Sequence, residues 1–82
     1  MNEKIKMEKE RFYVGDPMEP AAELKFEERG EDMIITHTIV HPEERGKGLA
    51  TELVRYAEQY AEDHRLEIVP VCSFAKEVLR NR

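Results

Sequence analysis

The stretch that decides the fold is His41-Pro42-Glu43-Glu44-Arg45-Gly46-Lys47-Gly48-Leu49-Ala50. The residues before it alternate between apolar and polar, as in a β-strand, and those after it repeat at spacings of three and four, as in an amphipathic helix. Pro42 ends the strand because proline has no N–H to donate to a ladder. A strand, a glycine turn and a helix in this order form an anion site, since the first N–H groups of a helix have no partners within it.

Alternating apolar residues predict three strands before this stretch. The first covers residues 10–14, and residues 5–7 can extend it; the second covers 22–27 and the third 33–40. The three strands are expected to pair as an antiparallel meander.

The strand over residues 33–40 is the richest in apolar side chains. Met33, Ile35 and Ile39 are assigned to one face, while Ile34 and Val40 are assigned to the other. A strand with bulk on both faces is expected to be central and covered on both sides.

After the glycine turn, the pattern predicts a helix over residues 47–63, a strand over 66–69 and a helix over 73–81. Ser73 is the expected cap of the last helix, with Phe74, Val78 and Leu79 turned inward. Strand, helix and strand form a β-α-β crossover, which requires parallel strands. The fold class is therefore α/β (α+β), with helices packed on a mixed sheet.

Composition restricts the class of protein. The chain has 82 residues, a net charge of −5 and a single cysteine, and one domain over residues 1–82 is expected. An acidic chain is a poor general nucleic-acid binder, and there is no apolar run of the roughly 20 residues needed to span a bilayer. The absence of a signal-like start and of cysteine pairs favours the cytoplasm. No metal site is expected, because no C-x-x-C or H-x-x-x-H spacing occurs, and the oligomeric state stays open.

The motif Arg45-x-x-Gly48-x-Ala50 resembles the acyl-CoA signature of GCN5-related N-acetyltransferases, Q/R-x-x-G-x-G/A. The segments Val69-Pro70-Val71-Cys72-Ser73-Phe74 and Thr36-His37-Thr38 are similar to a short, single-domain branch of that family with a Pro-x-Cys segment after its last strand. The resemblance covers roughly residues 22–80. It implies that acetyl-CoA is the acetyl donor and that a small-molecule or protein amine is the acceptor.

The resemblance places the CoA pyrophosphate on a loop at residues 45–51. Glycine there lacks the Cβ that would hold backbone and phosphate apart, and the helix dipole adds partial positive charge. The alternative is a turn that needs glycine only for its own backbone and carries solvated basic residues. The residues assigned to this loop are Arg45, Gly46, Lys47, Gly48, Leu49, Ala50 and Thr51.

The resemblance also implies a bulge in the strand before the loop. The pantetheine arm of CoA would then pair with the backbone of Ile39, Val40 and His41, and an N–H near Ile39 or Val40 would polarise the thioester carbonyl. Larger members of the family have two helices that help to form the acceptor site, whereas this chain has only residues 15–21 at that place.

His37 and Cys72 are the candidate catalytic residues. Histidine titrates near neutral pH, so His37 suits a general base; the alternative is a partly buried histidine satisfied by its neighbours. Cys72 precedes or begins a helix, a position that lowers the pKa of a thiol. It would act as acyl acceptor, as proton donor to the leaving group or as disulfide partner of CoA; the alternative is an inert, buried side chain. A CoA-binding module without turnover and a protein-interaction domain are the competing functions.

Overall fold

The computed structural model describes residues 4–80, which form five strands, a short 3₁₀ turn and two α-helices. The end predicted for the last helix, Asn81, lies outside the described residues. The elements in chain order are β1 (Ile5–Glu8), β2 (Arg11–Gly15), β3 (Pro20–Arg29), β4 (Asp32–Val40), the 3₁₀ turn (Pro42–Glu44), α1 (Leu49–Asp63), β5 (Glu67–Pro70) and α2 (Ser73–Arg80).

The strands form one mixed sheet in the order β1-β2-β3-β4-β5. The pairs β1–β2, β2–β3 and β3–β4 are antiparallel, and β5 is parallel to β4 after the crossover through α1. The predicted meander followed by a β-α-β unit is therefore confirmed. Within residues 4–80, no helix is long and apolar enough to cross a membrane.

The prediction that residues 5–7 extend the first strand is wrong. They belong to a separate strand, β1, which is antiparallel to β2 and places Ile5 opposite Val14. The chain reverses at residues 9 and 10, where Glu10 takes a left-handed φ of 58°. Non-glycine residues rarely adopt this conformation, so the sequence carries no turn signal here.

The core lies on one face of the sheet, under α1 and α2. Phe12 is at its centre, stacked on Phe26 at 5.0 Å and edge-on to Tyr56 and Tyr60 at 5.0 and 5.4 Å between ring centroids. Full burial of one such side chain contributes about 1.5–3 kcal/mol, so this cluster holds α1 to the sheet. The largest fully buried side chains are Phe12, Phe26, Leu24, Met33, Ile35, Leu53 and Val54.

The other face of the sheet, called the open face below, carries Tyr13, Glu23, Ile34 and Ile39. Both helices contribute to the core cluster and contact each other, so they share one side of the sheet. Neither α1 nor α2 packs on the open face, and Ile39 there is 51% exposed. The expectation that both faces of β4 are covered is therefore wrong.

Strand β4 contains a bulge at Thr36. Lys25 of β3 lies opposite His37, and the next residue of β3 lies opposite Ile35, which leaves Thr36 as the extra residue. The bulge that the family resemblance implied is thus present. An extra residue in one strand reverses the alternation of the side chains that follow it.

This reversal corrects the predicted faces of β4. Met33 and Ile35 are buried in the core before the bulge, and Val40 joins that side after it. Ile39 therefore turns to the open face, although the sequence pattern assigns it to the side of Met33 and Ile35. Val40 is on the core side rather than with Ile34.

The helix α1 ends in a tight, hydrogen-bonded turn that leads directly into β5. His64 caps the helix, with Nδ1 2.9 Å from the carbonyl oxygen of Tyr60. Arg65 takes φ 57°, and Leu66 N–H donates to the carbonyl of Ala61 at 2.7 Å. This is a Schellman ending, in which the left-handed position is usually glycine.

Candidate functional site

Strands β4 and β5 separate where the bulge begins. Their last register pair joins Ile35 to Pro70. The N–H groups of Val71 and Cys72 then both donate to the carbonyl oxygen of Ile35, at 3.0 and 3.1 Å. Beyond this point β4 continues to Val40 while the other chain turns into α2. A gap, called the split below, therefore opens between the two strands.

The backbone of Val40 points into the split. His41 N–H donates to the carbonyl of Ala21 at 2.8 Å, and Ala22 lies opposite Val40. In an antiparallel pair this pattern marks Val40 as a non-hydrogen-bonded position, so its own N–H and C=O face away from β3. Ile39, the alternative donor predicted from the sequence, directs its N–H towards β3.

Two glycines shape the turn between β4 and α1. Gly46 and Gly48 take left-handed φ values of 86° and 76°. A Cβ added to either would meet nothing within 4 Å, so the protein's own packing does not require glycine there. The backbone conformation does require it, and the missing Cβ atoms also leave the N–H groups approachable by a ligand.

The N-terminus of α1 carries free donors. Gly48 is its N-cap and provides no side-chain hydrogen bond. The first bond within the helix runs from Glu52 N–H to the Gly48 carbonyl, at 3.0 Å. The N–H groups of Leu49, Ala50 and Thr51 thus have no helical partner, and the helix dipole adds partial positive charge at the same point.

A groove of about 360 Å³ joins the glycine turn to the split. Its volume is within the range of roughly 300–1,000 Å³ found for small-molecule sites. The turn, the start of α1, the end of β4 and the start of α2 each contribute to its walls. The lining residues are Thr38, Val40, Glu44, Arg45, Gly46, Gly48, Leu49, Ala50, Thr51 and Phe74.

The structure thus brings most of the predicted CoA contacts together, but three of their side chains lie apart. Ile39 is on the open face, and His41 caps the 3₁₀ turn by accepting the Glu43 N–H on Nδ1 at 3.3 Å. Lys47 lies outside the groove, with Nζ 2.9 Å from Glu44 Oε1. Arg45 lines the groove and has no ion pair within residues 4–80, so it is the better placed of the two cations.

Cys72 stands at the other end of the split, beside Thr38. Sγ lies 3.5 Å from Thr38 Oγ1. Burial raises the pKa of the Cys72 thiol, but hydrogen bonds of the sulfur with the Ala75 backbone, the Thr38 side chain and the Phe74 backbone lower it by more. The pKa of Cys72 is consequently below its ordinary value.

The cap of α2 is one residue earlier than predicted. Lys76 N–H donates to the Cys72 carbonyl at 3.1 Å, so Cys72 rather than Ser73 occupies the cap position. A thiol at a helix N-terminus receives the N–H groups of the first turn, which is the placement that favours a thiolate.

His37 projects from the open face, opposite to the side of Thr38 and Cys72. Nδ1 lies 3.1 Å from Thr36 Oγ1, and that hydroxyl donates to the Lys25 carbonyl at 3.3 Å. Since the single hydroxyl proton is already donated, the Thr36 oxygen accepts from Nδ1–H. His37 therefore presents an unprotonated Nε2 when neutral, which is the form that a base requires.

Three groove residues, Thr38, Glu44 and Phe74, are not identified as site residues from the sequence. Thr38 belongs to the segment Thr36-His37-Thr38, but the face of the sheet that it occupies depends on the bulge. No residue type in β4 indicates a bulge. Phe74 is predicted to turn inward with Val78; instead it is 38% exposed and lines the groove, while Ala75 takes the buried position.

Comparison with known proteins decides the family. A family model described as GCN5-related N-acetyl-transferase matches residues 11–82. The chain belongs to the GCN5-related N-acetyltransferase family.

Two solved structures share the fold of this family member. One is the solution structure of a protein from Staphylococcus aureus described as a GCN5-like putative N-acetyltransferase; it is 32% identical, with a TM-score of 0.80 over 98% of this chain and 80% of that chain. The other is the crystal structure of a predicted acetyltransferase with acetyl-CoA from Clostridium acetobutylicum. At 17% identity and a TM-score of 0.62, over 87% of this chain and 54% of that chain, it shows likeness of fold alone.

Proposed function

We propose that this protein is an N-acetyltransferase that transfers an acetyl group from acetyl-CoA directly to an amine. The observation that carries the proposal is the continuity of one groove. It begins at the free N–H groups of α1, passes the free backbone of Val40 and ends at Thr38 and Phe74, where Thr38 Oγ1 lies 3.5 Å from the sulfur of Cys72. Family membership supports the reaction class, and the geometry supports the assignment of roles to residues.

The loop at residues 45–51 fits a pyrophosphate. Backbone N–H groups of Leu49, Ala50 and Thr51 bind anionic oxygens, as at other helix N-termini. Gly46 and Gly48 admit the phosphates because no Cβ stands in the way. Arg45 adds a guanidinium that can form paired hydrogen bonds with phosphate.

The backbone at the end of β4 fits an extended amide-containing arm. The carbonyl and N–H of Val40 face the split and lack a strand partner beyond the last pair of β4 and β5. The same N–H is a preorganised donor for the oxygen of a thioester carbonyl, where negative charge develops during acyl transfer.

Bound acetyl-CoA supplies an activated acetyl thioester. The transfer forms one C–N bond and breaks one C–S bond, while the amine loses a proton and the leaving sulfur gains one. His37 Nε2 is placed to accept the amine proton on the open face. We assign the return of a proton to the leaving sulfur to the protonated Cys72 thiol, whose Sγ lies 3.5 Å from Thr38 Oγ1 at the edge of the groove.

The acceptor is proposed to be a small-molecule or protein amine, and the compartment is proposed to be the cytoplasm. The net charge of −5 supports a cationic partner, since ammonium groups are attracted to an acidic surface. Residues 1–82 are proposed to act as one minimal acyl-CoA-binding domain, without nucleic-acid or membrane partners.

A second candidate is a CoA-binding module without turnover. It is favoured by the separation of His37 and Cys72 on opposite faces of the sheet. Among the described residues that line the groove, the ionisable side chains are Glu44 and Arg45, and neither is a base near the split.

Turnover on a panel of amines separates the two candidates. Acetylated product is measured by mass spectrometry together with release of free CoA thiol, for the wild type and for Gly48→Glu. The proposal expects product from the wild type and none from the variant, in which a carboxylate faces the pyrophosphate. Binding of acetyl-CoA without product from any amine would favour the module. Full activity of Cys72→Ser would remove Cys72 from the chemistry.

A further inference from the structure

The open face consists of two halves with different surfaces. Over β1, β2 and β3 it carries a network of ion pairs. Arg11 bonds to Glu8 at 2.8 Å and to Glu23 at 2.5 Å, and Lys25 lies 3.9 Å from Glu23. The Arg11 guanidinium also lies 4.5 Å above the ring of Tyr13. Tyr13 is only 7% exposed beneath Arg11, whose guanidinium also donates to the Pro17 carbonyl, so this half presents paired charges rather than apolar surface.

Over β4 and β5 the open face carries aliphatic side chains on either side of the split, beside His37. Val69 lies opposite Ile34 in the parallel pair, and Val71, two residues later, shares its side. Ile39, Val69 and Val71 are 51%, 37% and 57% exposed. Ile39 on β4 and Val71, directly after β5, stand on the two sides of the split, and Val69 lies on β5 just before it. We call these three residues the aliphatic strip.

The aliphatic strip adjoins the place where the acceptor must arrive. Under the proposed function, on which this inference rests, the donor occupies the groove on the core side of the split. The opposite side of the same split opens between Ile39 and Val71, and His37 projects from that face. An acceptor that reaches the thioester from there lays the carbon atoms next to its nitrogen on the strip.

We infer that the acceptor is an amine carried on an aliphatic chain, rather than a short polar amine. The acidic protein attracts any ammonium group, so charge alone does not select among amines. Apolar contact with the strip does select, because each methylene group removed from water strengthens binding about fourfold.

The test uses amide NMR spectra of the full chain with bound CoA, titrated with hexylamine and with ethylamine. The two amines carry the same charge and differ in four methylene groups. We expect hexylamine to shift the amide signals of Ile39, Val69 and Val71, with an affinity at least tenfold higher than that of ethylamine. Ion-paired residues such as Arg11 are expected to shift little.

Two variants and a matched control make the test specific. Ile39→Ser and Val71→Ser remove apolar surface at exposed positions, so both are expected to fold and to lower the hexylamine affinity at least fivefold. Met7→Ser removes an apolar side chain that is 46% exposed on β1, the opposite edge strand, and is expected to leave the affinity unchanged.

Three results would overturn the inference. These are equal affinities for the two amines, shifts confined to residues outside the strip, and strip signals that change with protein concentration instead of amine, which would mean that a second copy covers the strip. The proposed function is tested separately in the same spectra, because addition of CoA must shift the amides of Leu49, Ala50 and Thr51. If the signals of those amides do not move, the amine titration of the free protein still tests whether the strip binds the aliphatic chain.

Discussion

Replacing Gly48 with alanine tests whether glycine is needed at this position for the backbone of the turn alone or also for ligand binding. Gly48 has φ 76°, and a Cβ there meets no atom within 4 Å. The substitution therefore costs only backbone strain, about 1–2 kcal/mol for a left-handed L-residue, partly offset by about 0.4–1 kcal/mol from the stiffer unfolded chain. A net loss of about 1 kcal/mol lowers the Tm of a domain of this size by roughly 4–8 °C.

Gly30 supplies a matched control. It lies in the turn between β3 and β4, with φ 60° and no atom within 4 Å of an added Cβ. Gly30→Ala is therefore expected to lose about as much stability as Gly48→Ala. Only Gly48→Ala places a methyl group between the N–H donors of α1 and a bound phosphate.

The assay is thermal unfolding with and without acetyl-CoA. At a concentration of about 100 times Kd, the ligand stabilises the wild type and Gly30→Ala by about 2.7 kcal/mol. A tenfold weaker affinity halves this gain to about 1.4 kcal/mol, and we expect at least that loss for Gly48→Ala. Equal acetyl-CoA-induced increases in Tm for the two variants would refute the reasoning, since Gly48 would then have no part in binding the ligand.

Three further predictions follow from single residues. Thr38→Val removes the hydroxyl that bonds to the Cys72 sulfur, so the pKa of Cys72 rises; alkylation of the thiol by iodoacetamide should shift to higher pH, and an unchanged profile would contradict the contact. Arg65→Gly relieves a left-handed φ of 57° and should raise stability by about 0.5–1 kcal/mol in thermal unfolding, whereas a lower Tm would disprove strain there. His37→Gln should lower kcat with acetyl-CoA affinity unchanged, and an unaltered kcat would exclude His37 as the base.

The sequence predicts the architecture well because its strongest signals are local. Three local patterns each predict one element: a strand before Pro42, a turn at the two glycines and the amphipathic helix α1. Their order requires the parallel crossover. The glycine loop can be proposed as a binding site from the sequence for the same reason, since its residues are contiguous and its donors belong to the backbone. These parts of the site need no knowledge of long-range packing.

The parts that the sequence does not predict depend on irregular backbone. The bulge at Thr36 has no residue signature, yet it decides that Thr38 faces the groove and that Ile39 faces solvent. The left-handed turn at Glu10 likewise separates β1 from β2 without a glycine. The aliphatic strip is exposed because neither helix packs on that face of the sheet. The apolar side chains of β4 predict the opposite, namely burial on both faces.

The most direct test of the central claim is a crystal structure of this protein with acetyl-CoA. The account predicts pyrophosphate oxygens within about 2.7–3.2 Å of the backbone nitrogens of Leu49, Ala50 and Thr51, and a pantetheine arm bonded to Val40 in the split. A structure with the ligand bound elsewhere, or with side chains alone holding the phosphates, would contradict it.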